Sequence, residues 1–89
     1  MPKIMVYGTA FCPYCTRARK LLEHKAVDYE DIRIDKEPER RAEMVQRSGR
    51  TSVPQIFIDD FHVGGCDEMF ALERKGELDT LLGLAANIS

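Results

Sequence analysis

Cys12-Pro13-Tyr14-Cys15 comes directly after a short apolar run and directly before a helical pattern, and that placement restricts the fold more than any other stretch of the chain. Cysteines with this spacing can stand one helical turn apart, close enough to form a disulfide ring with little backbone movement. Lys3-Ile4-Met5-Val6-Tyr7 is apolar, partly β-branched and bounded by Gly8, so it reads as a buried strand that delivers the pair. From Cys15 to Lys25 the apolar positions Cys15, Ala18, Leu21 and Leu22 recur at helical spacing, with Thr16, Arg17, Arg19, Lys20 and Glu23 between them. The dithiol therefore sits at a helix N-terminus. Unpaired backbone N–H groups and the positive end of the helix dipole there favour a thiolate, bringing a cysteine pKa from about 8.5 into a range of roughly 3.5 to 7.5. Cys12 is the expected nucleophile. Cys15, on the same side as Ala18 and Leu22, is expected to be buried and to act as the resolving thiol. Pro13 lacks an N–H and has a fixed φ, which suits the first helical turn and stiffens the dithiol ring.

A chain of 89 residues, 44% hydrophobic and 31% charged, predicts one soluble domain spanning 1–89 with one modest core. The N-terminal apolar run is too short for a signal peptide, and no stretch reaches the 18 or so apolar residues of a membrane span. A cytoplasmic location is expected. In that reducing compartment three cysteines point to catalysis or metal binding rather than structural disulfides. A net charge of -2 with interspersed signs leaves no basic footprint for nucleic acid, and neither nucleic acid nor a membrane is expected as partner.

Further along, Val27, Tyr29, Ile32 and Ile34 read as a second strand whose alternation slips, predicting a bulge or a late start. Asp35 to Gln46 reads as a second helix, with Pro38 near its start, Ala42 and Val45 on its apolar face and Gly49 as its stop; Lys36 to Arg41 is a solvated face. Gln55-Ile56-Phe57-Ile58, the turn Asp59-Asp60 and Phe61-His62-Val63 form a hairpin. After Gly64-Gly65, Asp67 and Glu68 charge the start of a helix with Met69, Phe70 and Leu72 as its apolar face, ended by Gly76. A last short helix uses Leu78, Leu81, Leu82 and Ala85, with Asn87-Ile88-Ser89 fraying. The order β-α-β-α-β-β-α-α predicts an α/β fold: a right-handed parallel crossover extended by an antiparallel hairpin, giving a four-stranded mixed sheet with helices on both faces.

Two more stretches belong with the dithiol. Thr51-Ser52-Val53-Pro54-Gln55 opens the third strand, and a cis bond before Pro54 would free the Val53 N–H and C=O to pair with an extended peptide. Gly64-Gly65-Cys66-Asp67 offers backbone N–H groups at a helix start, a site for a carboxylate. The three motifs, in this order and over this length, closely resemble the glutaredoxins of the small bacterial dithiol type. The resemblance covers essentially the whole chain. It implies a thioredoxin fold with sheet order 2-1-3-4, a groove for glutathione as co-substrate and no permanently bound cofactor. Carried over by residue, Cys12 is the nucleophile, Cys15 resolves, Tyr14 walls the groove, Val53 pairs its backbone with the cysteinyl part of glutathione, Pro54 is cis, Cys66 and Asp67 hold the γ-glutamyl end and Arg41 reaches the glycine carboxylate. The implied partners are glutathione and disulfide-containing or glutathionylated proteins, met by a monomer.

Two other classes use the same residues. Cys12, Cys15, His62 and Cys66 supply zinc-ligand types, but His62 lies between Phe61 and Val63 and is expected to point to the opposite face as an exposed strand histidine. An iron–sulfur carrier shared between two chains is disfavoured by the rigid Pro13 after the first cysteine. One position departs from the resemblance: the family often has lysine three residues before the first cysteine, and Thr9 stands here. A hydroxyl offers a neutral hydrogen bond where an ammonium offers a charge-assisted one of about twice the strength, reduced by exposure. Thr9→Lys is therefore expected to lower both the Cys12 pKa and the KM for glutathione with little change in stability, measured by alkylation against pH and by steady-state kinetics.

Overall fold

All five residues of the first strand, β1 (Ile4–Gly8), are buried, and because successive side chains leave opposite faces of a strand, β1 feeds two cores at once. The computed structural model describes residues 2–84. After β1 come α1 (Pro13–His24), β2 (Glu30–Arg33), α2 (Pro38–Ser48), β3 (Gln55–Ile58), β4 (Phe61–Gly64), α3 (Cys66–Arg74) and α4 (Leu78–Leu81). The strands form one sheet in the order β2-β1-β3-β4, with β1 parallel to β2, antiparallel to β3, and β3 antiparallel to β4. This is the thioredoxin-fold sheet that the motifs implied.

Ile4 and Val6 of β1, with Ile56 and Ile58 of β3, pack against Ala18 and Leu22 of α1, Met69 of α3, and Leu78 and Leu82 at α4. Met5, Tyr7, Ile32, Ile34 and Phe57 face the other way, onto Met44 of α2. Helices therefore cover both faces, α1, α3 and α4 on one and α2 on the other. The second strand begins late, at Glu30, and its register with β1 runs unbroken from Met5↔Glu30 to Gly8↔Arg33. The irregularity lies instead in the hairpin, where the pairing shifts between Ile56 and Phe57.

The inner face of α2 differs from the sequence expectation. Pro38 occupies the first turn and sets the helix so that Met44, not Ala42, is buried; Val45 packs at the margin and Ala42 is exposed. Around Met44 the layer is closed by charged side chains whose stems lie on apolar surface. The Arg47 guanidinium stacks 4.1 Å from the Phe57 ring centre and donates to the Tyr7 hydroxyl at 2.9 Å, while that hydroxyl donates to Glu43. Arg40, from the stretch expected to be wholly solvated, bonds Glu43 through Nε at 3.0 Å. Ala85 and Asn87 to Ser89 lie outside the described residues, and no described helix is long and apolar enough to cross a membrane. Truncating Met44, the one buried residue of α2, to alanine is expected to remove about 2–5 kcal/mol of stability, whereas Ala42→Ser stays within about 0.5 kcal/mol, read from urea midpoints at constant slope.

Candidate active site

Cys12 is the N-cap of α1, in an extended conformation (φ -90°, ψ 117°), with Pro13 beginning the helix and the Thr16 N–H closing the first turn onto the Cys12 carbonyl at 3.1 Å. Its sulfur therefore lies over the free N–H groups of the first turn. Burial opposes ionisation of Cys12, but the backbone N–H of Cys15, the Cys15 thiol, the Tyr14 N–H and the charge of Arg19 together outweigh it and hold the pKa below the ordinary thiol value. Cys15 is fully buried beside Ala18 and Leu22. Burial pushes its thiol up to about 11, helped by the hydrogen bond to and charge of Cys12, and opposed by the Thr9 N–H and by Arg19. One turn of helix thus separates a cysteine whose ionisation is favoured from one that burial keeps protonated, and neither is in a disulfide.

Across from Cys12, the Val53 carbonyl lies 3.8 Å from its sulfur, and the Val53-Pro54 peptide is cis. That loop is held by Gln55, a polar side chain only 1% exposed, whose amide donates to the Ser52 carbonyl at 3.0 Å and to the Ser52 hydroxyl at 3.2 Å. The Gln55 oxygen accepts from His62 Nε2 at 2.7 Å, and the His62 ring stacks on Phe57 with centroids 4.8 Å apart. His62 is therefore half-buried rather than exposed, tied to the loop clamp and not turned toward the cysteines. Among the described residues no three His, Cys, Asp or Glu side chains are grouped so as to hold a metal ion.

The third motif turns at Gly64, whose φ of +110° is left-handed backbone, and a Cβ there would also lie 2.9 Å from the Glu68 carboxylate. Gly65, the N-cap of α3, has no side chain to cap with. Glu68 reaches back instead and accepts the Gly65 N–H at 2.6 Å, which lowers the Glu68 pKa. Cys66 is buried at the helix start; burial raises its pKa, with Asp67 and Cys12 adding to the rise against Arg17. It stays a thiol.

Between these pieces runs an open groove of ≈ 240 Å³. Tyr14, Val53, Pro54, Gly65, Cys66 and Asp67, all singled out from the sequence, line it, while Gly64 supplies the turn before Gly65 without lining it. Arg41 does not: it is exposed and donates to the Thr51 carbonyl at 3.5 Å. Arg50 lines the groove instead, 3.7 Å from Glu68, a cation the sequence reading passed over. Thr9 bears on the site through its backbone, its N–H facing Cys15 and its carbonyl accepting from Arg19 Nη2 at 3.0 Å. Gln55, Arg50 and Arg19 are thus the groups that sequence reasoning missed. Arg19 carried one readable signal, its position four residues after Cys15 on one helix.

A low-pKa cysteine capping a helix, with a buried thiol one turn in, is the working arrangement of thiol–disulfide oxidoreductases on the thioredoxin fold. Within that class, residues 4–63 match the family model described as Glutaredoxin, and the chain belongs to the glutaredoxin family. It is 55% identical over 82 residues to a glutaredoxin of Pseudomonas aeruginosa, covering 92% of this chain and 98% of that one. Over the same length it is 50% identical to glutaredoxin 3 of Escherichia coli, with 92% and 99% covered. Among solved structures, the buckwheat glutaredoxin–glutathione complex superposes with a TM-score of 0.85 at 31% identity, covering 94% of this chain and 83% of that one. The solution structure of glutaredoxin from Brucella melitensis gives 0.81 at 48% identity, with 99% and 96% covered. The protein is a thiol–disulfide oxidoreductase.

The unequal thiols give a direct expectation. In a Cys66→Ser background, iodoacetamide should alkylate Cys12 with a pH midpoint below that of a free cysteine, while Cys15, held up by burial, reacts only at a pH above that midpoint. Mass spectrometry of the two peptides after timed quenching checks both.

Proposed function

We propose that this protein is a glutathione-dependent oxidoreductase that reduces protein disulfides and glutathione mixed disulfides through Cys12 and Cys15, as a cytoplasmic monomer. The observation that carries the reading is an activated Cys12 whose sulfur lies 3.8 Å from the carbonyl of Val53, a residue that lines a groove running on to the N-terminus of α3. A cysteinyl peptide lying there as an added strand pairs with Val53, and a γ-glutamyl carboxylate meets the backbone N–H groups beginning at Cys66. Asp67 takes the γ-glutamyl ammonium, and Tyr14, half-exposed, packs on the thiol end. Among the described residues Arg41 is held by a long contact to the Thr51 carbonyl, so turning onto the glycine carboxylate costs little. Arg50 adds a second cation, partly offset by Glu68.

In the monothiol route the Cys12 thiolate attacks the glutathione sulfur of a glutathionylated substrate. The substrate leaves as thiolate and takes up a proton, and a second glutathione then displaces the first from Cys12 as glutathione disulfide. With a protein disulfide, Cys12 forms the mixed disulfide and Cys15 displaces the substrate, leaving the Cys12–Cys15 bond for glutathione to reduce. Glutaredoxins as a class have potentials of roughly -200 to -230 mV, close to the cytosolic glutathione poise, so the direction follows the pool.

A glutathione-coupled disulfide reduction assay tests the assignment. Cys12→Ser should abolish all turnover. Cys15→Ser should keep deglutathionylation and lose protein-disulfide reduction, and Cys66→Ser should retain most activity, because the groove uses the backbone N–H at that position rather than the thiol. Identical behaviour of the Cys12 and Cys15 variants toward a glutathionylated substrate would show that the roles are misassigned.

A further inference from the structure

One cation lies outside the groove and against the dithiol. The Arg19 side chain is only 14% exposed, its Nε donating to Asp31 of β2 at 3.0 Å and its Nη2 to the Thr9 carbonyl at 3.0 Å. The same Nη2 stands 3.1 Å from the point where a Cβ on Gly8 would lie, and Cys15 Sγ stands 2.9 Å from that same point. The space left by the missing side chain of Gly8 is thus shared by the guanidinium and the resolving sulfur. Thr9 links the two a second time, carbonyl to Arg19 and N–H to Cys15.

The chemistry of the second step needs such a neighbour. In the resting protein Cys15 is held protonated by burial and by Cys12, which accepts its hydrogen bond and carries negative charge. Once Cys12 is in a mixed disulfide that charge is gone, and burial is opposed only by the Thr9 N–H and Arg19. Other charged and titratable groups on the elements around the dithiol are engaged elsewhere, Arg17 of α1 over the Phe70 ring at 5.4 Å and beside Cys66. Asp31 pairs with Arg19, and the Tyr29 hydroxyl bonds Glu23 at 2.7 Å. Arg33 and Asp35 form their own pair at 2.6 Å, and Cys66 across on α3 stays a thiol beside Asp67.

We propose that Arg19 is a positioning residue for resolution: it steadies the Cys15 thiolate during attack on the mixed disulfide, and Asp31 sets how much of its charge Cys15 feels. The proposal rests on the dithiol route above. Cys15 gives its proton to solvent and its sulfur attacks Cys12 Sγ. The bond from Cys12 to the substrate sulfur breaks as the Cys12–Cys15 bond forms, and the substrate sulfur leaves as thiolate and is protonated from solvent. Two electrons pass from the dithiol to the substrate.

The test uses the full chain with Cys66→Ser, mixed rapidly with a symmetrical nitrothiobenzoate disulfide. The first coloured thiolate released reports attack by Cys12 and the second reports resolution by Cys15. Arg19→Met should move the pH midpoint of the second release upward and slow it about three- to tenfold at neutral pH, a tenfold change corresponding to about one pKa unit. Arg19→Lys should recover most of the rate, and Asp31→Asn should move the midpoint downward. A midpoint unmoved in Arg19→Met, a loss equal at every pH, or no recovery by lysine would overturn the proposal, since those are the marks of a merely structural residue. Should Arg19→Met fail to fold, an Asp31→Asn midpoint that stays put or rises overturns it equally. A parent protein that never gives the second release overturns the dithiol route itself; a parent that does, with unmoved variants, overturns the role of Arg19 alone.

Discussion

The lowered pKa of Cys12 depends on the N–H groups of Tyr14 and Cys15, which face its sulfur only while α1 begins at Pro13 and stays where it is. What keeps it there is the burial of Cys15, Ala18 and Leu22 against the sheet, each removed fully from solvent. Burial of this order, about 25 cal/mol per Å² of apolar surface, is the term that can hold a helix whose other face is charged. The same burial is what denies Cys15 its own ionisation. The packing of α1 on the sheet therefore separates the two thiols in pKa in two ways: it removes Cys15 from solvent, and it holds the N–H groups of Tyr14 and Cys15 against the Cys12 sulfur.

The second half of the site depends on a different contact. The loop from Ser52 to Pro54 packs Val53 at the margin of the α2-side core and buries Pro54, and it is pinned by Gln55, whose buried amide makes three hydrogen bonds, two to Ser52 and one to His62. A buried polar group with its partners in place fixes geometry better than apolar contact does, because losing any one bond leaves a desolvated donor or acceptor. Phe57, beneath His62 and under Arg47, connects that clamp to the α2 layer. The wall facing Cys12 is thus set from the face of the sheet opposite to α1, and the groove is the seam where these two independently anchored halves and the start of α3 meet.

The motifs, their order and the periodicity between them made the fold and most of the site legible. The dithiol at a helix start, the proline at a strand entry and the paired glycines before a helix each rest on local rules, one residue type at one backbone position, and such rules survive in any context. Several of the places where expectation and structure part involve long side chains. Helical periodicity put Ala42 and Val45 inward, yet Met44 fills the layer, because the rotation of α2 is set by what the sheet offers, Tyr7 and Phe57, and not by the helix alone. A lysine or arginine has several rotatable bonds, so its Cα position leaves open which of several sites its charge serves.

From the sequence by itself, the cysteine that caps α1, its buried partner, the α/β architecture and the family were determined, since each is carried by short-range chemistry. Only the tertiary structure decided which cations stand near the site: Arg50 lines the groove while Arg41 lies outside it, and Arg19 lies beside Cys15 where a lysine at the Thr9 position was the expected source of charge. The reason is spatial. The opening at Gly8 exists only once β1 and α1 are packed together, and it is that opening, shared by a sulfur from one turn of the helix and a guanidinium from the next, that brings Arg19 to the site.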